Sequence, residues 1–268
     1  MFATLTRTLT PTLSRTVATA SSVFLVTGGG SGLGAAAASA IVRAGGRVCL
    51  VDRDAEAGRV HADTLGAESA IFCEADVTDE ESVEAAVRAT VAEWGSVNGA
   101  VNAAGVATAR RLLKTPLDEM RKVLDVNVVG SVNVIQATAK AMLEADVGED
   151  GERGVFVNTA SVAAYDGQIG QASYAASKGA IVALTLCMAR ELAEHSIRVN
   201  TIAPGIMDTP MLAGLPEKAR TSLGKQVPFP QRMGDPKEYA KAVVSIIDNG
   251  YWNGEVLRLD GAIRMAPK

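Results

Sequence analysis

Aromatic residues, cysteines and histidines are all scarce in this sequence. Aromatics make up 4% of the 268 residues, which disfavours the stacking platforms that bind single-stranded nucleic acid. The three cysteines, Cys49, Cys73 and Cys187, are odd in number and far apart, so they predict reduced thiols rather than a disulfide framework. Neither histidine has a partner spaced for metal binding, and we predict no metal site. With 30 acidic and 26 basic residues the net charge is −4, which makes nucleic acid or anionic lipid a poor partner.

Long uninterrupted apolar runs are also missing. A membrane-spanning helix needs about 20 consecutive apolar residues, and the longest candidate, Gly179 to Ala189, is much shorter. We therefore expect no membrane span.

The first 22 residues differ in composition from the rest. They are rich in Ser and Thr and carry Arg7 and Arg15, whereas the first acidic residue of the whole chain is Asp52. Such a composition is typical of an organelle transit peptide; the alternative is a disordered tail. A secretory signal is less favoured because no continuous apolar region is present. We predict that residues 1–22 direct the protein to the mitochondrial matrix and that residues 23–268 form one domain.

After Ser22, short apolar runs alternate with helical patterns. The helical patterns include 79–94, a long helix from about 117 to 145, 171–195 and 236–248. Strands that alternate with helices of ten or more residues indicate a parallel sheet covered on both faces. We predict a single α/β, doubly wound domain whose seven strands are Val23–Thr27, Arg47–Val51, Ile71–Glu74, Asn98–Asn102, Val155–Asn158, Ile197–Ala203 and Glu255–Leu259.

A glycine-rich segment follows the first predicted strand directly. Gly28, Gly32 and Gly34 have the spacing G-x-x-x-G-x-G between a strand and a helix. Glycines here let backbone N–H groups approach a pyrophosphate at the positive end of the helix dipole. Turns need glycine too, but the position between strand and helix favours a nucleotide site.

Asp52 ends the second predicted strand, 18 residues beyond Gly34. An acid near this offset accepts hydrogen bonds from a ribose diol and repels a 2′-phosphate, which predicts NAD rather than NADP. Arg53 complicates this prediction because an arginine can hold that phosphate, and Asp52 alternatively caps a helix. Asp76 and Val77, after the third strand, are candidates for the adenine edge.

Tyr174 and Lys178 are four residues apart on a predicted helix and therefore share one of its faces. Oxidation of an alcohol by hydride transfer needs a base for the hydroxyl proton, and a free tyrosine has a pKa of about 10. A nearby ammonium, together with a cationic nicotinamide, would lower that pKa. Ser161 would hold the substrate oxygen, and Asn127 would anchor a water that connects Lys178 to solvent.

Together these motifs resemble the short-chain dehydrogenase/reductase family, from about Val23 to the end of the chain. The resemblance rests on the glycine-rich turn, Asn102-Ala103-Ala104-Gly105, Asn127, Ser161, Tyr174, Lys178 and Pro204-Gly205. It implies a Rossmann-like domain in which catalysis uses Ser161, Tyr174, Lys178 and Asn127 and in which substrate also meets Gln168. It further implies that NAD contacts Gly28, Ser31, Gly32, Leu33, Gly34, Asp52, Asp76, Val77, Asn102, Ala103, Gly105, Tyr174, Lys178, Met207 and Thr209.

Longer stretches such as RKVLDVNVVGS and NTASVAAYDGQIGQASYAASKGAIV resemble a narrower group of this family, mitochondrial homotetramers that oxidise short or branched 3-hydroxyacyl-CoA with NAD. Two alternatives stay open: a hydroxysteroid or other secondary-alcohol dehydrogenase, and a non-catalytic partner in mitochondrial tRNA processing. The segment between Gly105 and Asn127 looks shorter than in the animal enzymes, which leaves chain-length preference and any role in RNA processing open.

Overall fold

The computed structural model describes residues 22–148, 151–213 and 216–267. Seven strands form one sheet in the order β3-β2-β1-β4-β5-β6-β7, and every neighbouring pair is parallel. The predicted doubly wound, seven-stranded parallel sheet is confirmed. The predicted transit peptide lies outside the described residues except for Ser22. The strands are β1 (Val23–Thr27), β2 (Arg47–Asp52), β3 (Ala70–Glu74), β4 (Gly99–Asn102), β5 (Gly154–Thr159), β6 (Ile197–Pro204) and β7 (Val256–Leu259).

Helices connect the strands on both faces of the sheet. The predicted helix from about 117 to 145 is wrong in one respect, because a π turn at Asp125–Val129 interrupts it. Two short helices that we did not predict from the sequence, Pro210–Ala213 and Glu217–Lys225, also occur. The helices are α1 (Gly32–Arg43), α2 (Ala55–Leu65), α3 (Glu80–Trp94), α4 (Leu117–Leu124), α5 (Gly130–Leu143), α6 (Ala172–Leu192), α7 (Pro210–Ala213), α8 (Glu217–Lys225) and α9 (Pro236–Asp248).

Alternate strand residues supply two separate apolar cores. Phe24 and Val26 of β1 pack with residues of α1 and α9 on one face, whereas Leu25 packs with residues of α3 and α5 on the other. Side chains of a strand alternate between faces, so a strand covered on both sides must be apolar throughout. The continuous run VFLVT follows from this requirement.

Helix α6 with its terminal turn, Ala172–His195, is long and apolar enough to cross a membrane by length and composition alone. A core helix passes the same test. The Thr185 hydroxyl lies 2.6 Å from that of Thr201 on β6, and both side chains are buried. These contacts assign α6 to the interior packing of the domain.

Arg198 on β6 ties the end of α9 to the sheet. Its guanidinium donates to the carbonyl oxygens of Ile246 and Ile247 at 2.9 Å and of Trp252 at 3.0 Å. It also donates to the Glu152 carboxylate at 2.9 Å. The last carbonyls of a helix lack partners within the helix, so Arg198 satisfies groups that would otherwise be buried and unpaired.

Arg198→Met should therefore destabilise the protein by about 3–5 kcal/mol, because it removes the partner of several buried carbonyls and the ion-pair partner of the partly buried Glu152 carboxylate. Arg88→Met removes the exposed Arg88–Glu84 pair and should cost less than about 1 kcal/mol. Urea unfolding of both variants at the same protein concentration measures the difference. Equal midpoints would contradict the proposed role of Arg198.

Candidate active site

One cavity of about 750 Å³ opens where the strands end at their carboxyl termini. Its volume suits a small-molecule ligand, and parallel α/β sheets bind ligands at this edge. Most of the predicted site residues line it. They are Gly28, Ser31, Gly32, Leu33, Gly34, Asp52, Asp76, Val77, Ala103, Gly105, Ser161, Gln168, Tyr174, Lys178, Met207 and Thr209. Asn102 and Asn127 do not line it.

The turn between β1 and α1 has room only for glycine at its centre. Gly28 has a φ of +65°, and a Cβ there would lie 3.0 Å from the backbone nitrogen of Ala104. A Cβ at Gly34 would lie 2.2 Å from the carbonyl oxygen of Gly28. The turn is therefore closed tightly on the start of α1, and Gly32, Leu33 and Gly34 at that end of the helix line the cavity. This cradle fits the pyrophosphate of a dinucleotide.

The Asp52 carboxylate lies at the wall of the cavity and is held by the backbone. It accepts from Gly30 N at 3.0 Å and from Asp54 N at 3.1 Å. Arg53, the residue that complicated the choice of cofactor, pairs with Asp76 at 3.2 Å. The Asp52 carboxylate is thus fixed in place, and the neighbouring arginine already has an acidic partner.

Asp76 is held in place by Thr78 and Arg53. Its Oδ1 accepts from the N–H and the hydroxyl of Thr78 at 2.9 and 2.8 Å. Burial acts to raise the pKa of Asp76, but these bonds and Arg53 outweigh it and hold the pKa below its ordinary value. The carboxylate therefore shapes the wall of the cavity as an anion.

Tyr174 projects from the first turn of α6 into the cavity, with its phenol facing Ser161. Burial raises the pKa of the Tyr174 phenol, and a side-chain hydrogen bond with Ser161 acts in the opposite direction. The lowering that the sequence predicted is therefore not produced by the residues of this chain on their own. With these residues alone, the Tyr174 phenol therefore holds its proton more firmly than a free tyrosine does.

Lys178 lies one helical turn beyond Tyr174 and is almost fully buried, with 5% of its surface exposed. Its Nζ donates to the carbonyl oxygen of Thr159, at the end of β5, at 2.7 Å. The Nζ is also 5.7 Å from the centre of the Tyr174 ring. Burial lowers the pKa of Lys178 to about 8. The ammonium is therefore held at a fixed point beside the phenol.

Asn127 lies in the π turn and braces the segment after β4 against α6. Its Oδ1 accepts from Val106 N at 2.8 Å, and its Nδ2 donates to Val106 O and to the Ser177 hydroxyl, both at 2.9 Å. A Cβ at Gly105 would lie 3.2 Å from this Oδ1 and 3.6 Å from Lys178 Nζ. Asn127 thus acts behind the cavity wall, next to Lys178. The water that we predicted there stays a prediction.

Asn102 also lies behind the wall. It is buried, and its Nδ2 donates to Asn158 Oδ1 on β5 at 2.9 Å. The side chain therefore joins β4 to β5, and any contact with a cofactor from this position would come from its backbone.

Several lining residues are not in the predicted set of site residues. Thr108, Met211, Leu212, Leu223 and Met265 belong to loops, short helices and the C-terminal segment. No periodic pattern marks such residues, because tertiary packing brings them to the cavity. Among the residues that the structure describes, no group of three or more His, Cys, Asp or Glu could hold a metal ion.

Residues 22–220 match the short chain dehydrogenase family, and the chain belongs to that family. It is thus an oxidoreductase with a nicotinamide cofactor. Two curated proteins named 3-hydroxyacyl-CoA dehydrogenase type-2, from Drosophila melanogaster and Homo sapiens, are each 48% identical over 91% of this chain and cover 98% and 96% of their own lengths. The crystal structure of 3-hydroxyacyl-CoA dehydrogenase type-2 from Mycobacterium avium superposes with a TM-score of 0.88 at 40% identity and covers 93% of this chain and 98% of its own.

The buried ammonium should be visible in the pH dependence of stability. The pKa of Lys178 is about 8 in the folded protein and 10.5 ordinarily, so the unfolded chain binds more protons between these values. The free-energy cost of burying the charged Lys178 side chain is then fully present below pH 8 and is lost as the pH rises to 10.5. Relative to that of Lys178→Met, the free energy of unfolding of the wild type should increase by on the order of 3 kcal/mol from pH 7 to 10.5.

Urea unfolding of both proteins across this pH range measures the gain. Lys140→Met, which removes an exposed lysine of α5, is the control. If the difference in free energy of unfolding between wild type and Lys178→Met stays constant or falls with pH, Lys178 is not a buried ammonium with a lowered pKa.

Proposed function

We propose that the protein oxidises short or branched 3-hydroxyacyl-CoA to 3-ketoacyl-CoA with NAD, and catalyses the reverse reduction. One observation carries the proposal. Ser161, Tyr174 and the buried Lys178 stand together in a cavity whose other wall holds the glycine-rich turn and Asp52. The names of the relatives supply the substrate class.

Each of these side chains has one task in the proposed reaction. The Ser161 hydroxyl binds the substrate oxygen beside the Tyr174 phenol. Tyr174 takes the hydroxyl proton in oxidation and returns it in reduction. Lys178, anchored to the Thr159 carbonyl, places a positive charge where it favours the phenolate over the phenol. The bound nicotinamide supplies the hydride acceptor.

NAD rather than NADP is part of the proposal. The anionic Asp52 is fixed by two backbone N–H groups at the ribose end of the cavity. A 2′-phosphate there would meet this charge at close range, and Arg53 is paired with Asp76. Charge repulsion therefore supports the diol and opposes the phosphate.

We further propose that the protein works in the mitochondrial matrix as a homotetramer. The acid-free, Ser/Thr-rich first 22 residues support the location. The family resemblance supports the assembly. The sequence of the catalytic set is intact, which favours an enzyme over a purely structural partner in tRNA processing.

The substrate class is tested by NADH formation with 3-hydroxybutyryl-CoA, 2-methyl-3-hydroxybutyryl-CoA and a hydroxysteroid, with acetoacetyl-CoA for the reverse direction. We expect the highest kcat/KM with the acyl-CoA esters. A hydroxysteroid turned over better than both would instead select the secondary-alcohol alternative.

Tyr174→Phe removes the proton donor and acceptor and keeps the ring. We expect kcat to fall at least 10³-fold, a loss within the range that proton transfer and substrate positioning contribute together, while bound NADH gives the same fluorescence titration as wild type. Turnover retained within tenfold of wild type would reject Tyr174 as the proton-transferring group.

The choice of cofactor should depend on Asp52. We expect wild-type kcat/KM to favour NAD over NADP by at least 100-fold, and Asp52→Asn to reduce this ratio at least tenfold because the repelling charge is gone. Asp54→Asn removes a charge two residues away and leaves a side chain that can still cap α2, so it is the matched control. An unchanged ratio in Asp52→Asn, or an equal change in the control, would refute the assignment.

A further inference from the structure

The C-terminal segment Gly261–Pro267, here called the C-terminal strap, reaches the cavity beside the loop that carries Gln168. Met265 lines the cavity itself, and Ile263 is buried. The strap makes backbone contact with the loop that carries Gln168. Ile169 N donates to Pro267 O at 3.0 Å, and Gln168 Nε2 donates to Ala266 O at 3.0 Å.

A cluster of charges fastens the strap to this loop. Arg258, at the end of the sheet on β7, donates to Asp166 Oδ2 at 2.9 Å, to Asp260 Oδ2 at 2.8 Å and to Ile263 O at 3.2 Å. Asp166 Oδ2 also accepts from Met265 N at 3.3 Å. One carboxylate oxygen thus joins the sheet, the substrate-side loop and the strap.

The cluster is protected enough from water to hold the strap. Only 22% of the Arg258 side chain, 12% of Asp166 and 8% of Asp260 are exposed, whereas ion pairs at fully exposed sites contribute little. The Tyr165 ring covers the Arg258 guanidinium, with 5.0 Å between the guanidinium carbon and the ring centre. A terminal segment without such anchors would be poorly ordered.

We propose that the C-terminal strap is an outer wall of the substrate compartment, the part of the cavity beside Ser161 and Gln168, and that Asp166 and Arg258 are its positioning residues. Met265 is then the residue that limits the length of the acyl chain, because its flexible thioether fills the compartment next to Gln168. The substrate part of this proposal rests on the proposed function, whereas the closure of the compartment does not.

Asp166→Asn tests the positioning role. It removes the charge that Arg258 and the Met265 amide share, while it preserves the size of the side chain. We expect the KM for 3-hydroxybutyryl-CoA to rise at least fivefold with kcat changed less than threefold. Glu84→Gln, which breaks the exposed pair with Arg88, is the matched control and should change neither.

Closure is measured without turnover, by acrylamide quenching of the fluorescence of bound NADH. We expect the quenching constant to at least double in Asp166→Asn and to stay at the wild-type value in Glu84→Gln. If Asp166→Asn fails to fold, Met265→Ala carries the test: it should raise quenching and increase kcat/KM for 3-hydroxyoctanoyl-CoA relative to 3-hydroxybutyryl-CoA at least threefold.

The outcomes separate the two proposals. A wild type that oxidises no 3-hydroxyacyl-CoA refutes the proposed function, and quenching alone then decides whether the strap closes the compartment. Unchanged quenching in both folded variants overturns the strap as a wall. Raised quenching with an unchanged chain-length ratio in Met265→Ala overturns Met265 as the limiting residue.

Discussion

The buried ammonium of Lys178 is the constraint around which the site is built. A charge that is 95% removed from water needs a partner, and the Thr159 carbonyl supplies it at 2.7 Å. Thr159 is the last residue of β5 and lines the cavity at the carboxyl edge of the sheet. The edge of the sheet therefore determines where the lysine can be held, and α6 then determines where Tyr174 must lie.

The groups behind Lys178 maintain this geometry without touching the cavity. Asn127 uses its side-chain amide to join Val106 to Ser177, one residue before Lys178. Its position in a π turn follows a general tendency, since such turns recur at functional sites. Thr159 is held in turn, because its hydroxyl donates to Asn102 O at 2.6 Å and lies 2.8 Å from the Tyr239 hydroxyl. Helices on both faces of the sheet thus help to hold Lys178 Nζ in position.

The sequence was sufficient for the parts of the molecule that local patterns encode. Continuous apolar strands predicted the parallel sheet, and the glycine spacing predicted the tight turn before α1. The sequence was insufficient where tertiary packing determines the local structure and which residues reach the cavity. The helix Ala55–Leu65 has few large apolar residues and contacts the core through Gly58 and Ala62, so the sequence pattern did not define its bounds. The π turn contains Asn127, whose side-chain hydrogen bonds are with distant parts of the chain. Met265 is held at the cavity by the contact between Asp166 and Arg258, which are 92 residues apart in the chain.

The protonation state of Tyr174 is the point at which sequence and structure give different chemistry. Proximity to a lysine suggested an acidified phenol, yet burial raises its pKa and burial also lowers that of Lys178 to about 8. Both shifts have the same origin, because a site that excludes water disfavours every charge that lacks a partner. A protonated phenol beside Ser161 can donate a proton to a ketone oxygen, which is the step that reduction needs. Oxidation needs the phenolate, which a further positive charge in the cavity would stabilise. The same exclusion of water that holds the pair together therefore makes proton abstraction depend on the ligand that binds in front of it.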